Sequence, residues 1–363
     1  MKLFYSLVVA AIVAALTTSE AKAQLNFPRG SQQASVTQTV GITKIQIDYS
    51  RPSVNNREIW GNLVPYGMNN LGFGTAKESP WRAGADENTT IQFNTDVYIE
   101  GKALKAGLYG FHIVVMENDK ATLIFSNNNT AWGSFFYKPE EDALRVDIAT
   151  KTIPHVEQLT YLFEDVTSTS ATVVLNWEKK QFPFKISVDV NKTVVDGIKQ
   201  KLQNQEGFSR QTWEQAAGFV LANGGDYNEA LNWINNAISG QFYSQKTGAN
   251  LMTKAQLLNK LGKTSEAASV MDEASKIATI NELNAMGYQM MGLNDNARAK
   301  QYFELAIEKD PSNANAYDSM GDYYRTVGDT KNAIKYFKKA LSMNPLPNVR
   351  ASSEKHLKEL GAL

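Results

Sequence analysis

Cysteine is absent from all 363 residues, which excludes disulfides, thiolate metal sites and a lipid-modified cysteine near the N-terminus. Histidine is nearly as scarce. His112, His155 and His356 show no His-x-His or His-x-x-x-His spacing, so no metal and no cofactor is expected. Charge of one sign is missing too: Lys plus Arg and Asp plus Glu both total 37, and the balance holds in each half of the chain. Without the positive excess that dominates nucleic-acid binding, a polyanionic partner is not expected. No Gly-x-Ser-x-Gly elbow surrounds Ser50 or Ser134, and Gly72-Phe73-Gly74 lacks the third glycine and the lysine of a phosphate-cradling loop, so it reads as a flexible lid or turn.

Long hydrophobic runs are missing after the first residues. Lys2, the apolar run Leu3 to Leu16 and Ala21-Lys22-Ala23 before Gln24 form the charged, hydrophobic and A-x-A parts of a cleavable leader. Thr17, Thr18, Ser19 and Glu20 cut the run short of the roughly 20 apolar residues that a membrane span needs. Residues 1–23 are therefore expected to be a signal peptide. The mature chain is expected to be soluble, exported, and periplasmic or associated with the cell envelope.

What is present divides into two patterns. Over residues 30–190, period-2 alternation recurs, first at Ile45, Ile47 and Tyr49 and again at Ile91, Phe93, Val97 and Ile99. Similar runs follow at 108–116, 121–126, 143–149, 156–163, 171–178 and 182–190. About eight short strands separated by turn residues predict an all-β antiparallel sandwich or jelly roll. The stretch 80–93, PWRAGADENTTIQF, leads a polar loop straight into a strand and gathers charged groups at the lip of a sheet.

The polar candidates in this half are Arg51, Arg57, Arg82, Asp86, Glu87, Asn88 and His112, with Trp60, Trp81 and Trp132 as stacking surfaces. From these, Arg51, Trp81, Arg82, Glu87, Asn88, His112 and Trp132 form the expected ligand site. A guanidinium fork beside an indole face can hold a carboxylate, a phosphate or a sugar edge. The competing expectation is that Arg51 and Arg82 pair with Asp86 or Glu87 and pin loops. Asp86 and Glu87, as neighbours in extended chain, would point to opposite faces and make a poor pair for glycoside hydrolysis. His112, between Phe111 and Ile113, would be a satisfied core histidine if it faces inward.

Seven ordered motifs carry a family resemblance. These are Ser35 to Val40, Tyr49-Ser50-Arg51-Pro52, Leu63-Val64-Pro65-Tyr66-Gly67, Pro80-Trp81-Arg82-Ala83-Gly84-Ala85, Ile99-Glu100-Gly101-Lys102 with Ala106-Gly107-Leu108-Tyr109, Trp132-Gly133-Ser134, and Pro183-Phe184-Lys185-Ile186. Together they resemble the exported bacterial domain of unknown function numbered 2911, common in Bacteroidetes. The resemblance implies a fold and an accompanying repeat domain but no reaction, so no catalytic residue carries over. Residues 68–80 look longer than in the plainest members.

The second half is helical. After a polar, helix-prone linker at 191–210, Tyr317, Met320-Gly321, Tyr324, Gly328, Ala333, Phe337, Ala340 and Pro345 repeat, 34 residues earlier, as Leu283, Met286-Gly287, Met290, Asn294, Ala299, Phe303, Ala306 and Pro311. This resembles the tetratricopeptide (TPR) repeat. Two weaker copies precede, giving about four repeats over 211–347, and 348–363 reads as a capping helix. Repeats of this kind imply a groove that binds a protein or peptide, here lined by Asn281, Asn284, Tyr288, Asn315, Asp318, Asp322 and Arg325. Thr212, Gln215, Phe219, Met252, Gln256 and Asn259 would continue it.

The sequence thus points to a non-enzymatic binding or scaffold protein. The repeats would hold a protein partner, and the β domain would bind a ligand, a small anion or glycan, or anchor the assembly. A hydrolase or a carbohydrate-binding module at the 80–93 loop is the alternative.

Overall fold

The computed structural model describes residues 28–363, so the leader expected at 1–23 lies outside the described residues. The chain divides between Asp189 and Val190 into two compact units. Among the described residues, the first is built from ten antiparallel strands in two sheets. One sheet has the order β1-β2-β3-β6-β7-β8, from β1 (Gln32–Val40), β2 (Thr43–Arg51), β3 (Thr89–Phe93), β6 (Gly107–Val115), β7 (Lys120–Ser126) and β8 (Asp142–Ala149). The other has the order β5-β4-β10-β9, from β4 (Val97–Ile99), β5 (Lys102–Leu104), β9 (Lys151–Glu164) and β10 (Ser170–Ser187). Alternation buries Ile45, Ile47 and Tyr49 on β2, Phe111 and Ile113 on β6, and Leu123 and Phe125 on β7. Aromatic contacts join the sheets: Tyr49 meets Tyr161 at 4.7 Å between ring centroids, and Phe184 meets Phe111 at 5.6 Å and Phe125 at 6.3 Å.

Three departures from the sequence reading have physical causes. The run 91–99 is two strands, because the chain leaves the first sheet after Phe93 and enters the second at Val97. The runs 171–178 and 182–190 are one strand through Ser187, followed by helix from Val190. Trp177 and Phe182 are both buried although five residues apart, a spacing that strict alternation would send to opposite faces. Register shifts on either side of Glu178, whose φ is +53°, restore them to one face. Finally, β1 is a strand of its own, largely exposed and too poor in apolar residues to show alternation.

Between β2 and β3 the chain makes a long excursion over 52–88 with no regular strand. Isolated bridges pin it: Ser53 to Gln158, Asn69 to Ser79, and Trp81 to Ile113. Gly72-Phe73-Gly74 is docked and is no free lid. The Thr75 and Ala76 N–H groups donate to the Phe135 carbonyl at 3.0 and 3.1 Å, and a Cβ on Gly74 would stand 2.1 Å from that oxygen.

The second unit runs from α1 (Val190–Leu202) through four helix pairs: α2 (Arg210–Asn223) with α3 (Tyr227–Ile238), α4 (Gly248–Lys260) with α5 (Thr264–Ile277), α6 (Ile280–Gly292) with α7 (Asn296–Lys309), and α8 (Ala314–Thr326) with α9 (Thr330–Ser342). Side chains start them: Asp226, Asp295 and Asp329 cap α3, α7 and α9, while Thr247, Thr279 and Asn313 cap α4, α6 and α8. The repeat's glycines earn their place by contact. A Cβ at Gly287 would lie 2.4 Å from the Phe303 ring, and one at Gly321 would lie 2.7 Å from Phe337. The last helix, α10 (Pro347–Glu359), covers the final pair: Leu357 is buried with Ala333 and Phe337, Ser352 donates to Asp318 at 3.1 Å, and Ser353 donates to the same carboxylate.

Candidate functional site

In the stretch 80–93, the backbone of Trp81 exchanges hydrogen bonds with Ile113 of β6, its N–H donating at 3.0 Å and its carbonyl accepting at 2.8 Å. The chain then turns sharply, with Ala83 at φ +50° and Asp86 at φ +58°. The turn is held from within: the Trp81 indole donates to the Gly84 carbonyl at 3.2 Å, and Thr89 and Tyr161 both donate to the Ala83 carbonyl, at 3.2 and 2.8 Å.

Beside this turn lies a cavity of about 270 Å³. Its walls include Trp81, Arg82, Ser134 and Trp177, with Arg57 and Leu71 among the exposed residues at its rim. Trp81 and Trp177 stack at 5.8 Å and 17°, and Trp60 stands edge-on to both, at 5.7 and 5.9 Å. The Trp177 indole N–H is buried with no acceptor among the described residues.

Arg82 is held without an acid. Its guanidinium donates to the Asp86 carbonyl at 2.6 Å, lies 4.9 Å from the centre of the Phe135 ring, and presses on Gly133, where a Cβ would fall 2.3 Å from the guanidinium carbon. Burial lowers its pKa, and the charge of nearby Asp86 partly opposes this. At the rim, Arg57 donates to the Val54 and Ser53 carbonyls, at 3.1 and 2.6 Å. Among the described residues, no carboxylate forms an ion pair with either arginine.

Behind the cavity wall, His112 Nδ1 lies 2.9 Å from Ser134 Oγ, and the Ser134 carbonyl accepts from Ser79 at 2.8 Å. Burial first, and the Arg82 charge second, push the His112 pKa down to about 4. A serine hydroxyl on an imidazole is the arrangement of nucleophilic catalysis. Here the imidazole is a weak base, and among the described residues no carboxylate bonds it.

The expected site therefore assembles only in part. Trp81 and Arg82 line the cavity, and His112 supports its wall. Arg51 instead ties the two sheets, donating to the Leu159 carbonyl at 3.0 Å and to Thr160 Oγ1 at 2.6 Å. Glu87 pairs with Arg29, one of whose contacts is 3.0 Å, and this bond lowers its pKa. The expected pairing of Arg51 and Arg82 with acidic side chains thus gives way to backbone carbonyls, which close the loops without a second buried charge. Asn88 donates to the Asn128 carbonyl at 3.3 Å, and Trp132 is 52% exposed, outside the cavity wall. Trp177 and the Ser134–His112 contact were not anticipated. Trp177 sits where alternation changes phase, and the serine and histidine meet only through the fold.

On the helical unit, two depressions share Gln256. One, of about 310 Å³, lies among Met252, Gln256, Asn281 and Ala285, and the other, of about 510 Å³, among Leu221, Gln256, Asn259, Gln289 and Leu293. Gln256 donates to Gln289 at 2.9 Å. Asn284, also on α6, has a buried carbonyl oxygen without a partner. The other expected groove residues are engaged within the unit. Tyr288 donates to Asp322 at 2.9 Å, Arg325 reaches Asp322 at 3.3 Å, His356 approaches it at 3.4 Å, and Asp318 is buried under α10. Asn315 is half-buried at the start of α8.

Residues 31–186 match the family model described as a protein of unknown function (DUF2911). The match takes in nearly all the described residues of the first unit, hereafter the DUF2911 domain. Residues 314–345, covering α8 and α9, match a tetratricopeptide repeat model. No curated protein matches the chain. Solved structures similar to this chain include MamA, at 18% identity over 42% of this chain and 82% of that one, with a TM-score of 0.31. The C-terminal part of a TPR repeat-containing protein from Cytophaga hutchinsonii matches at 18% identity over 45% and 62%, TM-score 0.34. A thermophilic TPR protein of Thermus thermophilus matches at 15% over 46% and 91%, TM-score 0.33. The DUF2911 match spans the whole cavity wall, from Ser31 to Trp177.

Proposed function

We propose that this is an exported, non-enzymatic binding protein: its helical repeats hold an extended segment of a protein partner, and its DUF2911 domain binds a small ligand in the cavity beside Trp81. The observation that carries the first part is the pair of depressions joined at Gln256. They run across α2, α4 and α6, where a partly apolar floor of Leu221, Met252, Ala285 and Leu293 alternates with amide side chains. Amides can bond the backbone of an extended peptide, and the apolar floor can take alternate side chains. Solenoid repeats serve chiefly as such surfaces. Export rests on Lys2, the apolar run Leu3 to Leu16 and the A-x-A pattern ending at Ala23.

The test is selection of peptides from a displayed random library on the full mature chain. Enriched peptides should lose at least tenfold in affinity on Gln256→Arg and on Asn281→Arg, with the helical melt unchanged. No enrichment, or binding indifferent to both substitutions, would overturn the reading.

A further inference from the structure

The cavity in the DUF2911 domain has a more definite chemistry than a generic pocket. This step rests on the reading that the domain binds a ligand. We propose that the ligand is a small organic carboxylate with a flat apolar body, its carboxylate on Arg82 and its body against Trp81.

The charge argument comes first. Arg82 is half-buried, and its desolvation is not offset by an ion pair among the described residues. The Asp86 carbonyl, the Phe135 ring and the backbone at Gly133 fix the guanidinium plane, so its remaining N–H groups are oriented before anything binds. An unpaired, desolvated and preorganised cation is costly in the empty protein and favours a planar anion that matches its fork. Arg57 at the rim adds a second positive charge that is likewise satisfied only by backbone carbonyls.

The wall composition then separates anions from sugars. Asn69, Ser31, Ser79 and Ser134 are neutral, whereas the charged side chains of the wall are two arginines, with no aspartate or glutamate lining it among the described residues, and that balance favours an anion over a neutral sugar. The charged donors it offers are the guanidinium groups of Arg82 and Arg57. Half-buried Trp81, backed by the buried Trp177 stacked on it, supplies an apolar surface suited to a ring or a planar aliphatic group. At about 270 Å³ the space lies just under the usual ligand-pocket range of about 300–1,000 Å³, which limits the ligand to roughly the size of one aromatic amino acid.

Such a carboxylate could be a free acid or the last residue of a polypeptide. Calorimetric titration of the full mature chain with phenylacetate and N-acetylphenylalanine, each against its primary amide, reads both the charge and the source. The acids should bind at least tenfold tighter than the amides. Preference for N-acetylphenylalanine assigns the ligand to a chain terminus and preference for phenylacetate to a free acid; either supports the proposal. Arg82→Met should remove at least tenfold of the acid's affinity. Because that change can disturb the turn at 82–86, Leu71→Trp, at an exposed position on the rim, should block the acid while leaving the melting temperature in place. Equal binding of acid and amide, or acid binding untouched by Leu71→Trp, would overturn the carboxylate assignment. So would absence of binding by every probe. The Gln256→Arg variant should bind the acids normally, so failure at the repeat groove and failure at the cavity are read separately.

Discussion

Acidification from pH 7 to pH 5 should weaken the DUF2911 domain by about 2 kcal/mol through His112 alone. The imidazole is 2% exposed, and burial with the nearby Arg82 charge lowers its pKa from 6.5 to about 4. In the unfolded chain it takes up a proton near 6.5, and in the native state it resists until about 4. A base with a depressed native pKa gives stability that is complete above the unfolded value and is lost as pH falls toward the native one. Each unit of difference is worth about 1.4 kcal/mol, and between pH 7 and 5 most of the first two units are lost. Carboxylates held low by bonds to cations, such as Glu87 with Arg29 and Asp119 with Lys180, lose their contributions mainly below about pH 5, outside this window. Urea unfolding of the full chain, followed by tryptophan fluorescence at several pH values, measures the effect. His112→Asn keeps an amide within reach of Ser134 and removes the titration. The variant should be less stable at pH 7 but flatter between 7 and 5. An identical slope in variant and wild type would refute the assignment to His112.

Two further expectations follow from packing and bonding. Gly287→Ala and Gly321→Ala place a methyl group 2.4 and 2.7 Å from the Phe303 and Phe337 rings, so each should destabilise the helical unit by about 1–3 kcal/mol in a thermal melt, with no change in the β unit. Arg51→Met removes two bonds between the sheets, to Leu159 and Thr160, and should cost about 1–3 kcal/mol while leaving ligand binding at the Trp81 cavity unchanged.

The sequence was most legible where the structure repeats itself. Gly287 and Phe303, and Gly321 and Phe337, recur at one offset because each glycine exists to admit its aromatic ring, so spacing alone reveals the helix pairs. Alternation revealed most strands, but it failed at Glu178, where irregular pairing changes the phase and one strand read as two. Trp177 was lost for the same reason, since its inward direction depends on that irregularity. The candidate site was legible as residue types and illegible as partnerships. Arg51 and Arg82 stand out by type, yet Arg51 bonds the Leu159 carbonyl and the Thr160 hydroxyl and Arg82 the Asp86 carbonyl, and such partners have no signature in sequence. Ser134 and His112 stand 22 residues apart and meet only because β6 and the loop after β7 fold over one another. On the helical unit, Asp318 and Asp322 fit the groove register, and a helix further along the chain had already claimed them.

That last helix also bears on self-association. By lying on Asp318 and against Phe337, α10 takes the position that the first helix of another repeat would need. An open-ended solenoid presents at its exposed pair a surface suited to a second copy, and end-to-end stacking would then extend into filaments. Here that surface is occupied from within the same chain by serines, a histidine and one buried leucine, Leu357. The helix therefore shields that face, and Leu357→Asp should expose it, an outcome that light scattering would register as a rise in apparent mass.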